Sequence, residues 1–307
     1  MKLTAWITWE SQPRNKSMAA LVDADYYELT EYPRGIKRYL NCLTETVKVF
    51  NSGYDVVFVQ NPSIVLAFAG VALSKVYRTK VVIDAHNAGV RPKEGKVGWL
   101  LAVNNWILRR ADLVIVTNCK LQDHLESIGV QSVIIPDPLP QIPTPAGLIS
   151  VWAPYVFVIC SWAEDEPIDV YLETARLRPD RQFLFSGNSS KYAFSNVPDN
   201  IILLGYVSES EYYRYLANAS VVIDLTTRDD CLVCGAYESI ALDKKVVLSD
   251  TTVNRELFGG AAIYSANDAD SLALALDEDL SSPIAGFKES YMLRLQAEAT
   301  ALLELIL

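Results

Sequence analysis

Short runs of strand-forming residues, each followed by a stretch with helical periodicity, recur from one end of the chain to the other. This alternation constrains the fold more than any other feature. Residues 3–9 alternate like a strand and 36–50 have helical spacing, led by Arg34, Lys37 and Arg38. Residues 55–60 read as a buried strand, 65–75 as a helix, 80–84 as a strand, 98–110 as a helix, 112–117 as a strand, 120–128 as a helix and 132–135 as a strand. Parallel neighbours need a crossover and a helix supplies it, so repeated β-α-β predicts a parallel sheet with helices on both faces. The stretch Pro136-Asp-Pro-Leu-Pro140, continuing to Pro143 and Pro145, reads as a stiff connection. Beyond it the alternation resumes, with strands at 155–161, 182–186, 201–204, 220–225, 245–249 and 262–264 and helices at 168–176, 209–216, 233–242 and 269–276. Pro283 opens a last long helix. The expectation is an α/β chain of two doubly wound, Rossmann-like domains, 1–145 and 146–282, with a C-terminal helix, 283–307, able to pack back on the first. Ligands of open α/β sheets bind beyond the carboxyl ends of the strands, so the site is expected in a cleft between two facing sheets.

With 307 residues, half of them hydrophobic, the chain has material for more than one core. No segment reaches the ~18 uninterrupted apolar residues that span a bilayer, and the start of the chain lacks a signal-peptide layout, so the cytoplasm is expected. Five cysteines, an odd number, are expected to be reduced thiols. Cys231 and Cys234 form a single C-x-x-C, which with only two histidines in the chain does not make a zinc set, and no metal is expected. A net charge of −10 disfavours nucleic acid, but the charge is uneven: residues 1–150 hold 16 Lys+Arg against 13 Asp+Glu, and the remainder 11 against 24. A basic first half fits a surface that meets anionic lipid or a phosphate-bearing acceptor; it fits equally the chance pairing of two domains.

The sharpest local feature is Asp230 followed eight positions later by Glu238, in a segment that leaves a strand and enters a helix near Val233. A carboxylate in such a turn accepts hydrogen bonds from sugar hydroxyls, and amides at the helix start face a phosphate. Glu238, a turn or more into the helix, has the reach to accept both hydroxyls of a ribose. An ordinary solvated helix start, with acids matching its dipole, has the same spacing.

Ile223-Asp-Leu-Thr-Thr-Arg-Asp-Asp-Cys-Leu-Val-Cys-Gly-Ala-Tyr-Glu-Ser-Ile-Ala-Leu-Asp-Lys-Lys-Val-Val-Leu-Ser-Asp250 resembles the signature segment of retaining GT-B glycosyltransferases of the E-x7-E, family 4-like group. Asp230 stands for the first acid, Glu238 for the second, and Arg255-Glu256 lies near the family's later Pro-Glu. Phe185-Ser-Gly187, the run from Asn200 to Glu211, Arg110-Ala-Asp-Leu-Val-Ile-Val-Thr117 and Val133-Ile-Ile-Pro-Asp-Pro138 resemble further family segments in the family's order. The likeness covers about residues 54–275. It implies that Glu238 holds the nucleotide ribose, that Asp230 contacts the donor sugar, and that the amides of Cys231, Leu232 and Val233 lie against sugar or diphosphate, with Gly187 and Ser161 also on the donor side. It implies no cofactor and no bound metal: the donor is a nucleoside-diphosphate sugar, and the departing diphosphate takes the acceptor proton. His86, in Ile83-Asp-Ala-His-Asn87 at a strand end, stands where family members carry a histidine facing the donor sugar.

Two departures stand out. Where the family has a Gly-Arg pair and a later Lys gripping the diphosphate, this chain has Cys160-Ser-Trp-Ala-Glu-Asp-Glu166, and three acids repel phosphate. The glycine-rich loop after the first strand is replaced by Trp9-Glu-Ser-Gln-Pro-Arg-Asn-Lys16. Candidate cations are Lys191, Arg228, Arg255, Arg14 and Lys16, with Asn87 and Arg91 as further acceptor or phosphate candidates. Residues 91–110 combine cations with Trp99, Val103 and Trp106 at i, i+4, i+7, a pattern of a helix resting on a membrane and receiving a lipid-linked acceptor. The same stripe on a helix covering its own sheet is the favoured expectation. The function expected is transfer of a sugar to a glycan or lipid-linked acceptor, in surface polysaccharide or glycolipid synthesis at the inner face of the plasma membrane. The alternatives are a catalytically degenerate GT-B protein that binds a nucleotide sugar or a partner enzyme, and a GT-B sugar epimerase.

Overall fold

A computed structural model of the chain describes residues 3–32, 35–143, 154–193 and 196–307. The expected boundary at residue 145 and the cation Arg34 lie outside the described residues. The chain divides into two compact units, Met1–Pro138 with Met292–Leu307, and Leu139–Tyr291.

In the first unit the elements run β1 (Thr4–Thr8), α1 (Pro13–Leu21), β2 (Asp25–Glu28), α2 (Ile36–Asn51), β3 (Val56–Asn61), α3 (Ile64–Tyr77), β4 (Lys80–Ala85), α4 (Asn87–Val90), α5 (Gly98–Leu108), β5 (Leu113–Val116), α6 (Cys119–Ser127) and β6 (Ser132–Ile134). Its six strands, all parallel, lie in the order β2-β1-β3-β4-β5-β6. Strand β3, Val-Val-Phe-Val-Gln-Asn, is buried at every position because both faces are covered, which is why its first four residues read as an unbroken apolar run. Ser63 caps α3 by accepting from the Leu66 amide, and Gly70 lets that helix settle on the sheet: an added Cβ would stand 3.1 Å from a Val59 methyl. Strand order reverses between β1 and β3, so this sheet has its switch point there.

The second unit runs β7 (Tyr155–Val158), α7 (Ile168–Leu177), β8 (Gln182–Ser186), β9 (Ile201–Gly205), α8 (Glu209–Asn218), β10 (Val221–Asp224), α9 (Cys234–Ala241), β11 (Val246–Ser249), α10 (Thr252–Phe258), β12 (Ile263–Ser265) and α11 (Ala269–Ala275), and α12 (Ile284–Ile306) ends the chain. The strands are again all parallel, in the order β12-β11-β10-β7-β8-β9. Helix α8 starts on a capping box in which Ser208 and Glu211 satisfy each other's amides. The switch point lies between β7 and β10, so the loops that follow these two strands flank the crevice where doubly wound sheets bind ligands.

Two elements of the first unit differ from the sequence expectation. Strand β2, Asp-Tyr-Tyr-Glu, was not expected, because an edge strand with no buried residue carries no apolar signal. On α5 the favoured expectation is overturned: Trp99, Val103 and Trp106 are 71%, 43% and 43% exposed, and the face on the sheet is Asn104, Ile107 and Leu108. Asn104 is buried because its amide donates to the carbonyls of Gly89 and Val90 and its oxygen accepts from Asn61, which holds α5 to the turn after β4.

Candidate functional site

In the second unit, Asp224 ends β10 and points under the start of α9. Gly235 makes the close approach possible: an added Cβ would stand 2.4 Å from Asp224 Oδ2 and 2.3 Å from Ile159 Cδ1. Burial pushes the Asp224 carboxyl well above its usual range, Glu166 and Glu238 push it further, and the Gly235 amide only partly offsets them. Asp230 lies in the following turn with Arg228 Nε 3.7 Å from its Oδ1. Cys231, Leu232 and Val233 are half-buried, Val233 being the N-cap of α9, so their amides run along the helix start. Glu238 lies in the second turn of α9, and its Oε2 accepts the Tyr212 hydroxyl at 2.6 Å. Burial raises its carboxyl above the ordinary range against the lowering effect of Tyr212. The Cys231 thiol is pushed up to about 11, chiefly by burial, and Cys234 is exposed, so Cys231 stays protonated at neutral pH.

The loop after β7 lies against this segment. The Thr227 amide donates to the Asp165 carbonyl at 2.7 Å, and the Thr226 hydroxyl donates to Asp165 Oδ2 at 3.1 Å. The Ser161 amide and hydroxyl both donate to Glu166, at 2.9 and 2.7 Å. Gly187, after β8, is required by its φ of +79° and by space, since an added Cβ would stand 2.1 Å from the Cys160 carbonyl oxygen. Lys191 closes a short turn, Ser189–Lys191, and its side chain lies outside the described residues. Arg255 pairs with Asp250 and lies over the Tyr264 ring, so its charge is already engaged.

In the first unit, Arg14 was expected as a phosphate candidate; the structure gives it other work. Its guanidinium is buried, donates to Asp84 from Nε at 3.0 Å and from Nη2 at 2.7 Å, donates to the Ile135 carbonyl at 3.0 Å, and pairs with Asp137. Two carboxylates neutralise it, which leaves no charge for a phosphate. Burial favours the neutral form of Asp84, but Arg14 and His86 outweigh it and hold the carboxyl below the usual range. His86, the N-cap of α4, has Nε2 at 3.5 Å from Asp84 Oδ2 and a side chain 27% exposed. Thus the structure brings Arg14 and His86 together through Asp84, a residue the sequence did not single out. Asn87 is half-buried beside His86, and Lys16 and Arg91 are exposed. A polar network continues across the strand ends: the Thr8 hydroxyl donates to Gln60 Oε1 at 2.8 Å, and the Gln60 amide donates to Gln12 Oε1 at 2.7 Å. Buried polar side chains aligned at the carboxyl edge were the available signal for these residues.

Residues 17–136 match the family model described as glycosyl transferase 4-like domain. No curated protein sequence matches the chain. Among solved structures, HepE from Anabaena, in a complex with UDP, is similar at 15% identity over 99% of both chains with a TM-score of 0.69. Sucrose-phosphate synthase from Thermosynechococcus elongatus is similar at 14% identity over 99% of this chain and 98% of that one, with a TM-score of 0.68. UDP-GlcNAc 2-epimerase from Methanocaldococcus jannaschii is similar at 15% identity over 96% of this chain and 99% of that one, with a TM-score of 0.53. The chain therefore has the GT-B fold, and part of its first unit, residues 17–136, is similar to a glycosyl transferase 4-like domain.

Proposed function

We propose that the chain is a glycosyltransferase whose second unit binds a nucleoside-diphosphate sugar and whose first unit receives a glycan or lipid-linked acceptor. The observation that carries this reading is Glu238: a half-buried carboxylate one turn inside the helix that follows a switch-point strand, hydrogen-bonded by Tyr212 alone among the described contacts. The two hydroxyls of a ribose supply donors of the kind that carboxylate can accept. The structures of HepE with UDP and with UDP-glucose support a nucleotide-sugar donor. In the proposed transfer the acceptor oxygen bonds to the anomeric carbon on the face that the diphosphate leaves. The bond from that carbon to the phosphate oxygen breaks, and the departing diphosphate takes the acceptor proton, so configuration is retained. Asp230 holds donor-sugar hydroxyls, and His86 is the catalytic candidate of the first unit. No metal takes part in this scheme.

The acceptor side is supported by α5 and its neighbour α3. Trp99, Val103 and Trp106 are exposed, Phe68 of α3 stacks on Trp106 at 6.2 Å, and Arg110 lies over Trp106 at 3.8 Å. Exposed indoles beside cations suit the headgroup region of an anionic membrane, and we assign the protein to the inner face of the plasma membrane, in surface polysaccharide or glycolipid synthesis. One observation favours a second reading, binding without turnover: Glu166 occupies amides in the loop after β7. A thermal-shift panel of UDP-, GDP-, TDP- and ADP-sugars tests the donor site. Stabilisation by one of them, with nucleoside diphosphate released on adding acceptor, supports the transferase. Stabilisation with no release or hydrolysis selects the second reading, and no stabilisation by any of them overturns both.

A further inference from the structure

The loop after β7 gathers a set of hydrogen-bond donors at one point, and the protein fills that point with its own carboxylate. Glu166 accepts from the amides of Ser161 at 2.9 Å, Trp162 at 2.8 Å and Ala163 at 3.3 Å, from the Ser161 hydroxyl at 2.7 Å and from the Cys160 thiol at 3.0 Å. Three consecutive amides turned to one anion form the concavity in which backbones hold phosphate oxygens. We infer that Glu166 is a resident anion which competes with the donor's diphosphate for these amides, so that nucleotide affinity is set by displacement of its side chain. This rests on the reading of the second unit as a donor site.

Position is the first support. The loop leaves β7 at the switch point of the sheet and is hydrogen-bonded through Asp165 to Thr226 and Thr227, which lead into the Asp230 turn. Charge is the second. Glu166, Glu238 and Asp165 each disfavour the charged form of Asp224, and the Asp230 carboxylate already faces Arg228. A diphosphate entering while Glu166 stays in place adds two negative charges beside that group; a phosphate that replaces Glu166 inherits its five donors. The third support is that the cradle does not depend on Glu166 for its shape. The Cys160 amide donates to Ser186 Oγ at 2.9 Å, the Trp162 indole donates to the Ser186 carbonyl at 3.0 Å, and Gly187 packs under the Cys160 carbonyl. Trp162 itself is held with φ at +62°, a backbone region that a bulky residue adopts only when its surroundings enforce it. With the carboxylate swung away, the amides stay turned to the same point.

Calorimetric titration of the full-length protein with UDP and with inorganic pyrophosphate tests this, comparing wild type with Glu166→Gln. The charge-neutral variant is expected to bind both about tenfold more tightly, the change expected from removing a charge-assisted competitor. Affinity in Glu166→Gln equal to or weaker than that of a binding-competent wild type overturns the inference and leaves the donor site standing. No binding of pyrophosphate or of UDP, GDP, TDP or ADP by either protein overturns the donor site as well. Should the variant fail to fold, the wild type alone decides through its backbone amide resonances. Saturating UDP is expected to shift Ser161, Trp162 and Ala163 strongly, and unchanged resonances at all three overturn the displacement.

Discussion

At the level of single residues, two buried carboxylates take opposite roles. Asp84 is matched by Arg14, so removing one partner strands the other: Arg14→Met is expected to lower stability by about 3–5 kcal/mol in chemical denaturation. Among the described residues no cation pairs with Asp224, and its carboxyl is raised in the folded state. A carboxyl that binds its proton more tightly folded than unfolded makes stability fall as pH rises from the ordinary carboxylate range through the raised value. Asp224→Asn keeps an oxygen for the Gly235 amide and loses the charge. It is expected to unfold a few degrees higher than wild type at pH 8 and to flatten that pH slope, measured by thermal melts from pH 5 to 8. A wild-type melt that rises with pH across that window, unchanged in the variant, contradicts the assignment. Residue positions were partly legible in the sequence: Asp230 and Glu238 fall in the turn and helix expected of them because one strand-turn-helix segment carries both. Arg14 was misjudged because its partners, Asp84 and Asp137, lie 70 and 123 residues away and only the sheet brings them to it.

Elements were read best where one physical signal dominated. Strands β3, β4 and β7 are covered on both faces over their apolar stretches, 56–59, 81–83 and 155–158, and those runs announce them. Helix α5 misled because it is apolar nearly all round, and the large indoles fixed the phase of the expected face, whereas Asn104, which looks like a surface residue, is the one that anchors the helix. The two faces make a testable contrast. Ile107→Ala is expected to cost about 2–5 kcal/mol, and Trp99→Ala within about 0.5 kcal/mol, because only the former empties a packed position. If α5 meets lipid, Trp99→Ala/Trp106→Ala is expected to abolish co-sedimentation with vesicles containing anionic phospholipid while the melting temperature stays put. Retained sedimentation removes the membrane from the account. Helix α9 is the second informative element. Gly235→Ala is expected to push its start away from Asp224 and weaken nucleotide binding at least tenfold, since neither Asp224 nor Ile159 leaves room for a Cβ.

For the whole molecule, the likeness to HepE extends over 99% of both chains at 15% identity, so what the chain shares with it is the arrangement of strands and helices rather than most of the residues. Pattern and segment order were therefore legible, and the contacts of the loop after β7 were not: that Glu166 folds back onto the amides of Ser161 and Trp162 is set by the loop's backbone, which no periodicity encodes. The reading of this chain as a transferase stands on the Asp230–Glu238 segment being a donor site. The most direct measurement is the affinity of the best-stabilising nucleotide for wild type and for Glu238→Ala, with a melt of each protein alone. Loss of two hydroxyl hydrogen bonds to a charged acceptor is expected to weaken binding about 100-fold or more while the melt stays close to wild type. Equal affinity in the two proteins would contradict the donor-site assignment.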